Sequence, residues 1–231
     1  MDHIRLSPRL QMVADFVPPC ACAADIGTDH GYLPVWLLQN GVIQSAIAAD
    51  IHAGPLANAR QSAAAYDLEE HFRFVQADGL QFSGVQAADV ITIAGMGGET
   101  ICAILAAAPW LRDGKQLVLQ PQSKVPELTD WLWRNGFTIE DAALCRDAGK
   151  RYLVLRVHGQ PAVQTYTVEQ LLLRRRDPLL TEHLKEEIRR QTRARAGMAH
   201  AKQTPVAELA ALDARLSQLQ ACLKEVQTWQ L

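Results

Sequence analysis

Four carboxylates in the first 80 residues sit beside glycines or at the ends of apolar runs. Asp25 and Asp29 belong to the stretch Asp25-Ile26-Gly27-Thr28-Asp29-His30-Gly31-Tyr32, Asp50 is followed by Ile51 at the end of Ala46 to Ile51, and Asp78 precedes Gly79. A glycine-bearing turn after a strand lets the backbone come close to a nucleotide-like ligand in a doubly wound fold. The dinucleotide fingerprint GxGxxG, however, has Asp29 in place of its second glycine. A carboxylate there repels a pyrophosphate, which argues against NAD and for a cationic ligand. S-adenosyl-L-methionine carries an amino group and a sulfonium and suits such a turn; a surface Asx turn at a strand end is the plain structural alternative.

Asp50 lies 25 residues after Asp25, near the spacing at which an acidic residue accepts hydrogen bonds from a ribose diol. Asp78-Gly79 falls where methyltransferases often bind the adenine amino group. Next comes Ala94-Gly95-Met96-Gly97-Gly98, an almost side-chain-free loop before a helix beginning at Glu99, which lets main chain approach a ligand. It lacks the Lys and Ser or Thr of a Walker motif, which excludes an ATPase of that type. It also lacks the Asp/Asn-Pro-Pro-Tyr motif of enzymes that methylate exocyclic amines.

The elements that must position these residues follow from periodicity. Short β-rich runs over 23–27, 46–51, 72–78, 88–94, 116–120, 137–144 and 151–157 alternate with helical stretches over 33–40, 55–66, 99–107 and 126–135, with one more helix, 8–16, ahead of the sheet. Alternation of this kind predicts βαβ units and a parallel sheet. The last two strands are joined only by Asp147-Ala148-Gly149-Lys150, so they are expected to pair as an antiparallel hairpin. The predicted fold class is α/β: a Rossmann-like class I methyltransferase with a mixed, mostly parallel seven-stranded sheet, followed by a C-terminal helical coiled-coil domain.

That C-terminal part begins after the linker-like HGQPAVQ, residues 158–164. Asp177-Pro178 and Thr204-Pro205 each offer an N-cap followed by proline at the first helical position, so two long helices are expected to start there. Leu209, Leu212, Leu216, Leu219, Leu223 and Val226 form a narrow 3,4-spaced seam, and Leu180, Leu184, Ile188, Gln191 and Met198 a weaker one. A short connection near Gln203 would make the pair an antiparallel coiled-coil hairpin. The domains are therefore expected to be residues 1–160, binding the cofactor, and residues 161–231, a helical arm. The leucine seam is compatible with a monomer or a homodimer.

Charge divides along the same boundary: residues 1–160 carry −5 and residues 161–231 carry +3 within an overall −2. Nine Lys and Arg lie between residues 174 and 202, against four acids, either a solvated helix face or a set of phosphate contacts. With no long apolar run and no apolar leader at the N-terminus, neither a membrane partner nor secretion is expected, and the cytoplasm is the expected location. Cys20, Cys22, Cys102, Cys145 and Cys222 form no CxxC pair, so neither a disulfide framework nor a metal site is predicted.

The blocks DIGTDHGYLP, AADIHAGPL, QADGL, IAGMGGETI, LVLQPQ and GKRYLV, in this order, resemble the TrmK family of bacterial methyltransferases that modify N1 of the adenine at tRNA position 22. The resemblance spans residues ~6 to ~157 and rests on several uncommon motifs that keep order and spacing. Beyond it the likeness is architectural, since that family also carries a helical coiled-coil C-terminal domain. It implies S-adenosylmethionine as cofactor, held by Asp25, Gly27, Asp29, Asp50, Ile51, Asp78, Gly79, Ala94, Gly95, Met96 and Gly97, and tRNA as partner. Asp29 and His30 are the catalytic candidates, Asp29 stabilising charge on the ring or taking a proton from the exocyclic amine, with cofactor binding alone as its other role. Arg5, Arg9, Tyr32 and Tyr152 are candidate substrate contacts, although Tyr32 and Tyr152 also suit ordinary packing. In the arm, Arg189, Arg190 and Arg193 are candidates for phosphate contacts while the base is drawn out of its stack. A small-molecule methyltransferase and a non-catalytic RNA-binding protein are the two competing classes.

Overall fold

Ile43 to Asp50, Val90 to Gly97 and Gln116 to Ser123 contain the near-continuous apolar runs that parallel strands need when helices cover both faces of the sheet. In the computed structural model, which describes residues 3–162, 166–199 and 206–230, they are three strands of one seven-stranded sheet. The strands are β1 Cys20–Ile26, β2 Ile43–Asp50, β3 Phe72–Gln76, β4 Val90–Gly97, β5 Gln116–Ser123, β6 Thr138–Asp147 and β7 Lys150–His158. Their order is β3-β2-β1-β4-β5-β7-β6. The first five are parallel, and β7 pairs antiparallel with both β5 and β6. The seven expected strands and the closing hairpin are all present.

Helices α1 Pro8–Phe16, α2 Tyr32–Gln39, α3 Ala53–Ala65, α4 Gly98–Ala106 and α5 Val125–Arg134 connect or flank the strands. Each expected helix in this half is found within two residues of its predicted start. Ser7 caps α1 through its hydroxyl, with Pro8 in the first turn where its missing N–H costs nothing. Val13, Ala14 and Phe16 of α1 pack with Leu33 and Leu37 of α2 against Ala46, Val90, Val118 and Val154 of the sheet. One layer of the core is thereby closed.

This topology fixes where a ligand can sit. From β1 the chain builds outward through β2 and β3, then returns to lay β4 on the other side of β1. The crevice at the C-terminal ends of β1 and β4 is the switch point at which doubly wound sheets receive ligands. Strand β4 runs further than expected. The segment predicted as loop continues the strand through Gly97, with register shifts between Ala94 and Met96 and between Met96 and Gly97. Such a bulge re-aims backbone beside a site, and Gly95 supplies the φ of +81° it needs.

The chain divides into two compact units, Met1–Thr165 and Tyr166–Leu231. Among its described residues the second holds α6 Val168–Arg175, α7 Leu180–Ala199 and α8 Val206–Gln227, three α-helices where the spacing of apolar residues predicts two. A capping box starts α6: Gln170 N donates to Thr167 Oγ1 at 3.3 Å and Thr167 N donates to Gln170 Oε1 at 2.8 Å. Asp177 Oδ1 accepts from Leu179 N at 2.9 Å ahead of α7. The expected cap at Thr204-Pro205 and the connection near Gln203 lie outside the described residues. Helix α8 packs on both α6 and α7. From the two seams, Leu180, Leu184, Leu219 and Val226 are buried, while Leu209, Leu212, Leu216 and Leu223 are half-buried.

One carboxylate ties the three helices together. Glu169 of α6 is only 6% exposed in its side chain, pairs with Arg215 of α8 and lies 3.8 Å from His183 Nε2 of α7. Burial pushes its carboxyl up, yet His183 and Arg215 outweigh that and hold it down at about 2, below its ordinary 4.5. A carboxylate depressed in the folded state stabilises it above pH 4.5 and loses that contribution as pH falls toward about 2. In thermal melts followed through the arm's helical signal, the advantage of the wild-type chain over Glu169→Gln is therefore expected to be full at pH 6 and to narrow by pH 3. A difference that stays constant across that range would contradict the assignment.

Candidate functional site

The predicted residues gather along the C-terminal edge of the sheet because each ends its own strand or opens the following turn. Asp25 and Ile26 end β1 beside Thr92 and Ile93 of β4, Asp50 ends β2, Asp78 follows β3, and Ala94 of β4 is paired with Gln120 of β5. Gly27 turns the chain at φ +77°, and both Gly27 N and Thr28 N donate to Ala49 O of β2, at 2.8 and 3.1 Å. A Cβ on Gly27 would fall 2.0 Å from Met96 Cε and would need this left-handed backbone as well. In the structure it is the Met96 side chain that comes close to Gly27.

A cavity of about 380 Å³ opens here, lined by Gly27, Asp50, Ile51, Asp78, Gly79 and Met96 among others. That volume lies within the range of small-molecule and cofactor sites. Ile51, 52% exposed, contributes an apolar side chain to the cavity lining. Asp50 Oδ1 accepts from His52 N at 2.8 Å, which fixes the carboxylate at the rim. Two carboxylates for a diol and an amine, an apolar wall and a glycine cradle together fit an adenosine-bearing cation. Sequence reasoning missed the wall contributed by α4: Thr100, Ala103, Ile104 and Ala107 also line the cavity. Their i, i+3, i+4, i+7 spacing was the available signal, since it marks one face of a helix.

Asp25 and Asp29 part company in the structure. Asp25 is half-buried and accepts from Thr92 Oγ1 at 2.7 Å. Burial pushes its carboxyl up from the ordinary range, the Thr92 hydrogen bond opposes this, and the charge on Asp50 adds to the rise. It braces the turn from within and does not line the cavity. Asp29 is exposed, with Oδ2 3.6 Å from His30 Nε2. The His30 ring stacks on Tyr32, centroids 5.0 Å apart and planes 17° from parallel, and Tyr32 is 42% exposed. These three residues form an acidic and aromatic ledge at the start of α2.

A second group comes together around β5. Arg9 Nη1 donates to Gln120 Oε1 at 2.8 Å, its guanidinium carbon lies 5.8 Å from the centre of the Tyr152 ring, and Gly95 N also donates to Gln120 Oε1, at 3.2 Å. Arg9 and Tyr152 are thus neighbours. Arg5 is exposed, and among the described residues no contact places it in either group. Ala94, Gly95 and Gly97 belong to the β4 bulge and do not line the cavity. Arg189, Arg190 and Arg193 are exposed on α7, in the other unit. Arg190 is ion-paired with Glu187 at 2.6 Å, whereas Arg189 and Arg193 have no ion pair among the described residues.

Residues 6–155 match a family model described as a methyltransferase domain. Over 156 residues the chain is 39% identical to the tRNA (adenine(22)-N(1))-methyltransferase of Bacillus subtilis, an alignment that covers 67% of this chain and 66% of that protein, about two thirds of its length. The crystal structure of the B. subtilis m1A22 tRNA methyltransferase TrmK superposes with a TM-score of 0.81 at 28% identity, covering 96% of this chain and all of that one. A Streptococcus pneumoniae protein provisionally described as a tRNA (m1A22) methyltransferase, solved with S-adenosyl-L-methionine, superposes with a TM-score of 0.77 at 30% identity over 95% of this chain. Motif order, sheet topology and these likenesses agree: the chain belongs to the TrmK family of methyltransferases.

Proposed function

We propose that this chain transfers a methyl group from S-adenosylmethionine to N1 of the adenine at position 22 of tRNA, with residues 1–160 holding the cofactor and the arm gripping the RNA. The observation that carries the reading is the cavity at the switch point, rimmed by Asp50, Ile51, Asp78 and Gly79, in a chain of this family. When bound, S-adenosylmethionine supplies a methyl group on a sulfonium, open to displacement by a neutral ring nitrogen. The chain's residues divide the remaining work. Asp50 takes the ribose hydroxyls and Asp78 the adenine amino group, while Ile51 covers the ring. Asp29 faces the positive charge that develops on the target adenine, and the stacked His30 and Tyr32 offer the extruded base an aromatic surface. The cytoplasm, where tRNA is held, is the compartment this activity requires.

Transfer of labelled methyl from the cofactor to tRNA, compared with transfer to a metabolite extract, tests the reading. Label in RNA supports it, and label confined to small molecules replaces it with a small-molecule methyltransferase. The cofactor assignment has its own check. Asp50→Ala is expected to weaken S-adenosylmethionine binding by about 1.5 to 3 kcal/mol, the worth of a hydrogen bond to a charged group, measured by calorimetry. Unchanged affinity would remove Asp50 from the site.

A further inference from the structure

Gln120 is fully buried within β5, in a strand whose neighbouring Leu117, Val118 and Leu119 are equally buried and apolar. A leucine would serve packing there as well, and a buried amide is costly unless its polar atoms are satisfied. The oxygen is satisfied by long-range partners and the nitrogen by the next residue. The side-chain oxygen accepts Arg9 Nη1 at 2.8 Å and Gly95 N at 3.2 Å, and Nε2 donates to Pro121 O at 3.0 Å. Both lone pairs of the oxygen are thereby used, one by α1 and one by the β4 bulge.

The Arg9 main chain is anchored separately. Arg9 N donates to Asp147 Oδ2 at 3.3 Å and the Ser7 hydroxyl caps the helix, so α1 stays in place without the side-chain contact. The bond to Gln120 therefore aims the guanidinium rather than holding the helix. It also seats the guanidinium against the bulge: a Cβ on Gly95 would lie 3.7 Å from Arg9 Nη1, so this main chain and this cation lie side by side. With one N–H given to Gln120, the Arg9 fork keeps four donors, in a planar arrangement suited to phosphate oxygens.

We propose that Gln120 is a positioning residue for RNA: it locks the Arg9 guanidinium to the Gly95 main chain beside Tyr152, so that a fixed cationic fork receives a backbone phosphate next to the target nucleotide. The inference rests on the tRNA reading above. Its test compares Gln120→Leu, Gln120→Asn, Gln120→Glu, Arg9→Ala and the double Arg9→Ala/Gln120→Leu in the full-length chain. The readouts are kcat/KM for tRNA, the salt dependence of tRNA binding, cofactor affinity and Tm.

Gln120→Leu and the too-short Gln120→Asn are expected to lower kcat/KM by about 10- to 100-fold with cofactor affinity unchanged. Gln120→Glu keeps the oxygen that accepts from Arg9 and Gly95 but sets its second carboxylate oxygen against Pro121 O where Nε2 donated, and is expected to lose activity yet remain clearly better than Gln120→Leu. Arg9→Ala and Gln120→Leu should each flatten the log-log salt slope by about 0.7 to 0.9, the share of one phosphate, and the double variant should be no worse than Arg9→Ala. Multiplicative losses in the double variant, or a Gln120→Glu protein as impaired as Gln120→Leu, would overturn the proposal. If Gln120→Leu fails to fold, Gln120→Asn against Gln120→Glu makes the same comparison. A wild-type chain that leaves tRNA unmethylated defeats the functional reading alone, and the salt slopes still decide the role of Gln120.

Discussion

Replacing Asp29 with alanine is expected to slow single-turnover methyl transfer by about 100-fold while leaving tRNA affinity nearly unchanged. Attack by N1 turns a neutral adenine into a cation, so a carboxylate near the ring interacts more strongly with the transition state than with the ground state. At ~4 Å that interaction is about 1 kcal/mol in water and about 4 kcal/mol at an effective dielectric of ~20, roughly a five-fold to a thousand-fold effect on rate. Asp29 is 76% exposed in its side chain, which places it toward the lower figure until RNA covers it. The intermediate value is what a site closed by its own substrate should give. Asp29→Asn keeps the shape, loses the charge and is expected to be almost as slow as Asp29→Ala. A near-normal rate with saturating cofactor in either variant would leave Asp29 with a cofactor-binding role at most.

Removing residues 161–231 should have an even larger effect, and a selective one. The sheet and every residue assigned to the cofactor precede the cut, and the chain divides into compact units close to it, at Thr165 and Tyr166. The shortened protein is expected to fold and to bind S-adenosylmethionine as the whole chain does, while methyl transfer to tRNA falls by at least about 100-fold. In the full-length protein, Arg189/Arg190/Arg193→Ala should flatten the salt slope by about two to three units if all three meet phosphate. The pairing of Arg190 with Glu187 reduces its share. A truncated core that methylates tRNA normally would make the arm an assembly element instead, and sedimentation of the full-length chain would then show a dimer.

Parallel strands covered on both faces are apolar along most of their length, which is why β1, β2, β4 and β5 were legible in the residues, whereas β6 and β7 were marked by the short turn that joins them. The site was legible for a related reason: Asp50 and Asp78 stand at strand ends, and strand ends are where this topology opens. What could not be read was non-local. Nothing about Gln120 announces that its amide meets Arg9, 111 residues away, or that Asp25 spends its hydrogen bond on Thr92 of a neighbouring strand. The bulge in β4 hid behind glycines, which suit a loop equally well. Helix α6 was overlooked for a different reason, because Pro161 and the polar residues before it read as linker. Its Thr167-x-x-Gln170 box ahead of Leu171, Leu172 and Leu173 was the local mark that a helix begins there.

The proposed reaction modifies one atom of one base, which calls for a readout at that resolution. Unmodified bacterial tRNA incubated with the full-length chain and S-adenosylmethionine, then digested with nuclease and analysed by mass spectrometry, reports both the modified base and its position. A single added methyl, as N1-methyladenosine, is expected in the fragment that contains position 22. A methyl group on another base, at another position or nowhere in the tRNA would contradict it.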